Sequence, residues 1–155
     1  MLAAIVLIVA SCSSSSPDEP HVRAGAVYGS IVRWFAQRSA TDPDPLPVFI
    51  EPRGEGASIQ LDVQADLVES TKDVATVRFI DSRDEALITN DDGEVVVADD
   101  GVLLRLDPVA EEGDTVSVDV DVHDHDDAFL TMEFDLRRAG EGWILAQPPV
   151  DVPTT

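Results

Sequence analysis

The sequence predicts an α+β domain in which helices pack on one face of a mostly antiparallel sheet. An early segment carries apolar residues at helical spacing, and later segments alternate apolar and polar residues as strands do. The alternating segments gather after Gly93 and end in a C-terminal meander. Helices gathered on one face of an antiparallel sheet bury both apolar surfaces economically. The predicted order is helix, strand, helix, strand, short helix and then antiparallel strands.

The first helix is predicted from near Arg23. One face of this helix carries an apolar stripe, whose residues are given at the end of this paragraph. Trp34 lies beside the stripe, and we interpret Trp34 and the stripe together as part of the hydrophobic core. Three prolines within residues 41–47 then exclude helix and favour extended backbone, so the segment PVFIEP is predicted to be a strand. The stripe recurs at i, i+3, i+4, i+7, i+8 and i+11, as in an amphipathic helix, and consists of Ala24, Val27, Tyr28, Ile31, Val32 and Phe35.

The segment 58–71 is ambiguous between helix and strand. Its apolar residues alternate, whereas its Gln, Leu, Ala and Glu content favours helix. We predict a helix capped by Ser58, followed by the strand ATVRFI. Ser82 and Glu85 then stand at capping-box spacing before Ala86, which predicts a third, shorter helix.

The strands after Gly93 are separated by turn residues. Asp99-Asp100-Gly101 marks one turn, and RAGEGWILAQ closes the meander with another. Between them, TVSVDVDVH and AFLTMEFDLRR alternate without a break. The side chains predicted to face the core are Val116, Val118, Val120, Val122, Leu130, Met132, Phe134 and Leu136.

The chain begins with an apolar segment that ends at its only cysteine. Residues 2–10 are too few for a transmembrane helix, which needs roughly 20, but they suit the apolar core of a secretory signal. Val9-Ala10-Ser11-Cys12 resembles the lipobox of bacterial lipoproteins. The resemblance implies cleavage before Cys12 and a diacylglyceryl group on its Sγ atom. Such a group would anchor the protein on the extracytoplasmic face of the cell membrane.

These patterns divide the chain into four parts. Residues 1–11 are predicted to be a signal peptide, and residues 12–22 a lipidated cysteine and a flexible tether rich in Ser and Pro. Residues 23–150 are predicted to form a single domain and residues 151–155 a tail. His21 falls in the tether, where we interpret it as a solvated loop residue.

The charge of the chain excludes one class of partner. The net charge is −21, with 31 acidic and 10 basic residues, so nucleic acid would be repelled. This acidity fits either a salt-rich habitat or a GC-rich genome, and the sequence does not separate the two. With Cys12 modified, no disulfide is available within the chain, so packing alone must hold the fold.

Beyond its N-terminus the chain resembles a group of uncharacterised small secreted or lipid-anchored proteins of actinobacteria. The motifs that carry this resemblance are structural rather than chemical, so it implies the fold more than any function. They are YGSIVRWFA, PVFIE, TVRFIDSRDEAL, GVLLRLDPV and LRRAGEGWILAQ.

The inventory of reactive residues argues against an enzyme. The sequence has no Gly-x-Ser-x-Gly elbow of a hydrolase and no glycine-rich phosphate loop. Only His123 and His125 could serve as the general base of a hydrolase. We therefore expect a non-enzymatic domain, without a cofactor, that binds an envelope protein or another envelope component. A small cell-wall hydrolase stays as an alternative.

One acidic segment, residues 119–129, concentrates metal-ligating residue types. If residues 124–126 form a hairpin loop, His123 pairs with Asp127 and the outer face gathers several carboxylates. Carboxylates suit Ca²⁺ or Mn²⁺, whereas paired imidazoles favour Zn²⁺ or Ni²⁺. The spacing matches neither an EF-hand nor His-Glu-x-x-His, so we interpret the segment as a solvated strand face, with a divalent-cation-binding lipoprotein as the alternative. The candidate ligands are Asp119, Asp121, His123, Asp127 and Glu133.

Overall fold

A computed structural model describes residues 20–39, 44–110, 113–123 and 129–153, and within these ranges it confirms the α+β class. The α-helices are α1 (Pro20–Ser39) and α2 (Leu61–Thr71). Single 3-10 turns lie at Arg83–Glu85 and Ala98–Asp100. The strands are β1 (Leu46–Pro52), β2 (Ala75–Phe79), β3 (Leu87–Thr89), β4 (Val95–Val97), β5 (Val102–Leu106), β6 (Thr115–His123), β7 (Phe129–Ala139), β8 (Gly142–Leu145) and β9 (Val150–Val152).

The main sheet has both parallel and antiparallel parts. Its strand order is β2-β1-β5-β6-β7-β8, and β9 pairs with β7 beside β8. Strands β5 to β9 pair antiparallel, as the sequence predicts, whereas β1 is parallel to both β2 and β5. Parallel neighbours need a crossover connection, and α2 supplies it between β1 and β2. The short hairpin of β3 and β4 lies outside the main sheet.

The larger core lies between the helices and one face of the main sheet. The predicted stripe of α1 is buried there, and Val63 and Leu67 of α2 join it. Trp34 meets the rings of Phe35 and Phe134 edge-on, with centroids 4.8 and 5.3 Å apart. Edge-on aromatic pairs at this distance add to the stabilisation that burial provides. The core therefore joins α1 directly to the middle of β7.

The two helices approach closely because α1 has glycine where it meets α2. A Cβ atom at Gly25 would lie 2.9 Å from the Cβ atom of Asp66, a contact that real structures essentially never show. A Cβ atom at Gly29 would lie 3.2 Å from the Oγ atom of Ser70. Residues four apart share one face of a helix, so these two glycines give α2 a flat surface to pack on.

A smaller core covers part of the opposite face of the sheet, beneath the β3–β4 hairpin. It consists of Phe49, Ile80, Ala86 and Leu103. The turn before β3 confirms the predicted capping box, since Ser82 Oγ accepts from the N–H of Asp84 and the Glu85 carboxylate accepts from the N–H of Ser82. The predicted short helix is only one 3-10 turn, because the chain continues directly into β3.

The folded domain is longer than predicted at both ends. Helix α1 begins at Pro20, so His21 lies in its first turn rather than in a tether. Strand β9 includes Asp151 and Val152, which were predicted to belong to the tail. The predicted signal peptide and Cys12 lie outside the described residues. Neither helix in the described ranges combines the length and the apolar character that a membrane span requires.

Candidate functional site

The predicted metal ligands of β6 lie on the face of the sheet opposite the helices. The valines of β6 point to the helices, whereas Asp119, Asp121 and His123 point to the other side. The predicted register is wrong, because His123 pairs with Phe129 and Asp119 pairs with Glu133. A shift of two residues leaves each side chain on its predicted face, since side chains alternate with a period of two. Asp127 lies outside the described residues.

Arg53 brings a guanidinium group to this acidic face. Its Nη1 atom lies 3.2 Å from Oδ2 of Asp107 and 3.5 Å from Oδ2 of Asp119. Its Nε atom lies 3.1 Å from Oδ2 of Asp121, which also accepts a 2.7 Å hydrogen bond from the hydroxyl of Thr131 at Oδ1. One arginine thus pairs with three carboxylates, two on β6 and one just after β5.

Arg105 of β5 supplies a second guanidinium group. Its Nε atom lies 3.1 Å from Oε2 of Glu51 on β1, and its Nη1 atom lies 3.6 Å from Oδ2 of Asp121. We refer to Arg53, Arg105, Glu51, Asp107, Asp119 and Asp121 together as the arginine–carboxylate cluster. Two guanidinium groups among four carboxylates relieve part of the repulsion that a bound cation would otherwise relieve. In the described ranges, no three His, Cys, Asp or Glu side chains are arranged to hold a metal ion.

His123 packs beside this cluster as a buried ring. Its side chain is 7% exposed, and neither ring nitrogen has a hydrogen-bond partner among the described residues. The ring lies edge-on to Phe129, with centroids 5.9 Å apart, and the guanidinium of Arg105 lies 5.2 Å from the centroid of Phe129. The described contacts of His123 are therefore aromatic packing rather than ion pairing.

Divalent cations test the metal interpretation of the acidic face. Because Arg53 and Arg105 already pair with its carboxylates, millimolar Ca²⁺ or Zn²⁺ should raise the melting temperature no more than a monovalent salt of equal ionic strength. A specific site would instead add RT ln(1 + [L]/Kd), about 2.7 kcal/mol at a hundredfold excess over Kd. Thermal melts of the parent and of Asp119→Asn/Asp121→Asn would distinguish the two. A saturable shift lost in the double variant would establish a metal site.

A cavity of about 160 Å³ opens where α1 and α2 begin and where the parallel strands β1 and β5 end. Its floor consists of buried side chains, Tyr28, Val63 and Leu106. Three prolines from separate segments form part of its wall, namely Pro20, Pro52 and Pro108. Ligands of open α/β sheets bind outside the carboxyl ends of parallel strands, which is where this cavity lies.

The loop between β1 and α2 closes one side of the cavity. Gly54 and Gly56 have φ angles of 109° and 72°, which glycine adopts far more readily than other residues, and they turn the chain back toward α1. The residue before α2 is Gln60, and its side chain makes no capping hydrogen bond. The prediction that Ser58 caps α2 is therefore wrong. Ser58 and Gln60 both line the cavity instead.

Tyr28 connects the cavity floor to the cluster. Its hydroxyl donates a 2.9 Å hydrogen bond to the backbone carbonyl of Asp107, whose carboxylate pairs with Arg53. Burial is the main cause that raises the pKa of Tyr28 to about 12, and the nearby Asp107 carboxylate raises it further, against the opposing effect of a hydrogen bond from Val109. The phenol is thus held neutral at the base of the cavity.

Alkaline titration tests the burial of Tyr28, the only tyrosine in the chain. A pKa raised from 10.0 to about 12 means that the folded state favours the neutral phenol, so this contribution to stability is complete below pH 10 and is lost as the pH rises to about 12. Phenolate absorbance should therefore appear only near pH 12, or earlier together with unfolding. Tyr28→Phe should abolish the absorbance change. Phenolate formation at the ordinary pKa in a folded protein would contradict this placement.

The lining of the cavity differs in charge from the rest of the molecule. None of the described residues that line it is acidic, although 31 of the 155 residues of the chain are Asp or Glu. Its ionisable side chains besides Tyr28 are His21 and Arg53. His21 Nδ1 lies 3.8 Å from Oδ2 of Asp62, and Asp62 is not one of the residues that line the cavity. The lining is therefore mostly apolar, and the guanidinium of Arg53, one of its residues, pairs with the carboxylates of the arginine–carboxylate cluster.

No local pattern in the sequence indicates this cavity, because its lining comes from three separate segments, 20–28, 52–63 and 106–109. Pro52 and Pro108 each come just after the apolar residues of a strand, and proline disfavours continued strand pairing. They therefore indicate where the two strands end, which is the level at which the cavity lies. Comparison of the chain with protein-family models, with curated proteins and with solved structures gives no match. Function must therefore be inferred from the chain's own residues.

Proposed function

We propose that the protein is a lipid-anchored binding protein on the extracytoplasmic face of the cell membrane, and that its domain binds a ligand without catalysing a reaction. The anchor is supported by Val9-Ala10-Ser11-Cys12, in which the only cysteine of the chain closes an apolar segment. Two acyl chains on Cys12 would suffice for stable anchoring, since each buried methylene contributes about 0.8 kcal/mol.

The position of the cavity relative to the predicted anchor is the observation that carries this proposal. Helix α1 begins eight residues after Cys12, and its first two residues, Pro20 and His21, line the cavity. Eight residues extend to at most about 28 Å, so an anchored domain would hold the cavity close to the membrane surface. Such a position suits a protein that binds a component of the envelope.

The character of the lining supports binding. Ligand pockets are typically concave and mostly apolar, with a few polar groups that orient the ligand. Here Val63 and Leu106 supply an apolar floor, while Ser58 and Gln60 supply polar groups. The prolines of the wall have fixed φ angles, so less conformational entropy would be lost when a ligand binds.

Replacement of Cys12 tests the anchor. Cys12→Ser should move the protein from the membrane fraction to the soluble fraction, or leave it unprocessed, because serine has no thiol to receive the diacylglyceryl group. Membrane fractionation with immunoblotting measures this. Ser13→Ala is the matched control and should stay in the membrane fraction at its mature size. Normal processing and full membrane retention of Cys12→Ser would contradict the proposed anchor.

A further inference from the structure

We infer that the end of the domain at which the cavity opens lies against the lipid bilayer, and that Leu61 of α2 inserts between lipid acyl chains there. The partner is the membrane itself, at the boundary between its headgroups and its hydrocarbon. This inference rests on the proposed anchor, which brings the domain to the membrane, and it adds which surface of the domain meets the lipid.

The surface around the mouth of the cavity presents apolar side chains to solvent. Leu61 directly follows Gln60 of the lining, and its side chain is 82% exposed, more than any other large apolar side chain in the described ranges. Pro20 and Pro108 of the lining are also exposed, and Ile59 is partly exposed. We refer to Pro20, Ile59, Leu61 and Pro108 together as the proximal surface.

Leu61 does not belong to the face of α2 that packs on the core. That face carries Val63 and Leu67, which are four residues apart and buried. Leu61 lies two residues before Val63, which is more than half a turn of helix away, so its side chain points to solvent. A single exposed leucine is common on proteins. Exposed apolar side chains grouped around one cavity, by contrast, mark sites of contact with proteins or membranes.

The chain outside the structure joins the domain at the proximal surface. Pro20 is the first described residue, and residues 1–19 before it include the predicted lipid attachment at Cys12. Eight residues extend to at most about 28 Å, so the anchor would keep Pro20 within that distance of the bilayer. A connection this short raises the effective concentration of the membrane at the domain to about the millimolar range, so a weak contact suffices.

The distribution of charge favours the same orientation. The three segments that line the cavity contain two arginines and three carboxylates, a net charge of −1 with histidine neutral, whereas the whole chain carries −21. Two of these carboxylates have a basic neighbour. Asp62 lies 3.8 Å from Nδ1 of His21, and Asp107 lies 3.2 Å from Nη1 of Arg53. An anionic bilayer therefore repels the rest of the molecule more strongly than this end.

Site-directed labelling of the mature protein in vesicles tests the orientation. The protein is extracted from membranes, reconstituted into vesicles of equal parts phosphatidylcholine and phosphatidylglycerol, and isolated with them by flotation. If Cys12 carries the lipid, an introduced cysteine is the only free thiol and takes one environment-sensitive fluorophore. Ser58→Cys places the label at the mouth of the cavity. Thr76→Cys, on an exposed position at the start of β2, places it at the opposite end of the parallel strands.

Lipids with a spin label on the acyl chain should quench the label of Ser58→Cys and leave that of Thr76→Cys unquenched. Leu61→Ser, added to Ser58→Cys, should weaken the contact at least about tenfold, the effect of one buried leucine side chain, and so lower the quenching. Leu61→Phe should retain the quenching, because phenylalanine also inserts. Ile88→Ser is the matched control, since Ile88 is an exposed apolar residue on the β3–β4 hairpin, and it should leave the quenching unchanged.

The remaining outcomes would overturn the inference. Equal or stronger quenching of the Thr76→Cys label, or quenching of the Ser58→Cys label that Leu61→Ser does not lower, would overturn the orientation and leave the anchor intact. If floated protein shows no quenching of either label, the domain stays clear of the bilayer and the inference is wrong. Protein that does not float with the vesicles would instead refute the anchor itself, and the inference with it.

Discussion

Phe134→Ala is expected to lower the free energy of unfolding by about 3–5 kcal/mol, the largest effect we predict for a single side chain. Phe134 is fully buried in the middle of β7, and its ring centroid lies 5.3 Å from that of Trp34 and 5.8 Å from that of Phe35. Alanine would leave a cavity between α1 and the sheet that these two rigid rings cannot fill.

Urea unfolding of Phe134→Ala and of a matched variant measures this effect. Ile144→Ala on neighbouring β8 also truncates a large apolar side chain, but Ile144 is 42% exposed and should cost less than about 1 kcal/mol. Equal costs for the two variants would show that the α1–β7 contact is not the centre of the core.

Arg53→Met is expected to destabilise the protein by about 2–3 kcal/mol, somewhat less than the 3–5 kcal/mol typical of a fully buried pair, because the cluster is partly exposed. The substitution would leave Asp107, Asp119 and Asp121 without the guanidinium that lies within 3.5 Å of each. Asp121 is the decisive partner, because its side chain is only 9% exposed and cannot be solvated in place.

The matched control for Arg53→Met is Arg78→Met. Arg78 pairs with Asp99, and both side chains are more than half exposed, so the loss should stay below about 1 kcal/mol. Asp119→Asn added to Arg53→Met should recover part of the stability, since it removes one of the uncompensated charges. No recovery, or equal costs for the two arginine variants, would contradict the proposed role of Arg53.

The sequence predicts well those elements whose pattern is local. Helix α1 follows from its apolar stripe, and the capping box of Ser82 and Glu85 forms as predicted. The faces of β6 follow from strict alternation. These features depend on residues that are close in the chain, so a single segment contains the information that specifies them.

Features that depend on contacts between distant residues were predicted poorly. The parallel pairing of β1 with β5 joins residues more than fifty positions apart, and no periodicity in either strand indicates its direction. The hairpin of β6 and β7 has five residues between its paired ends rather than three, so its register differs although its faces do not. Register follows the length of the connection, which alternation alone does not determine.

The ion pairs of the acidic face could not be predicted from the sequence for the same reason, since their partners are distant in the chain. Asp119 and Asp121 could be identified as a concentration of like charge, but Arg53 lies on another segment and Arg105 on another strand. The sequence therefore predicted a solvated strand face, with an external cation as the alternative, and did not indicate that Arg53 and Arg105 pair with these carboxylates. The prediction that His21 lies in a tether is wrong because α1 begins at Pro20, ahead of the apolar stripe from which the helix was predicted.

The intact mass of the mature protein extracted from membranes tests the central claim most directly. If the protein is a lipid-anchored binding protein, its mass should equal that of a chain beginning at Cys12 plus a diacylglyceryl group, with any further acyl group on the new N-terminus. Cys12→Ser should yield no such species. A membrane-extracted chain that retains residues 1–11, or that begins elsewhere with an unmodified Cys12 thiol, would contradict the account.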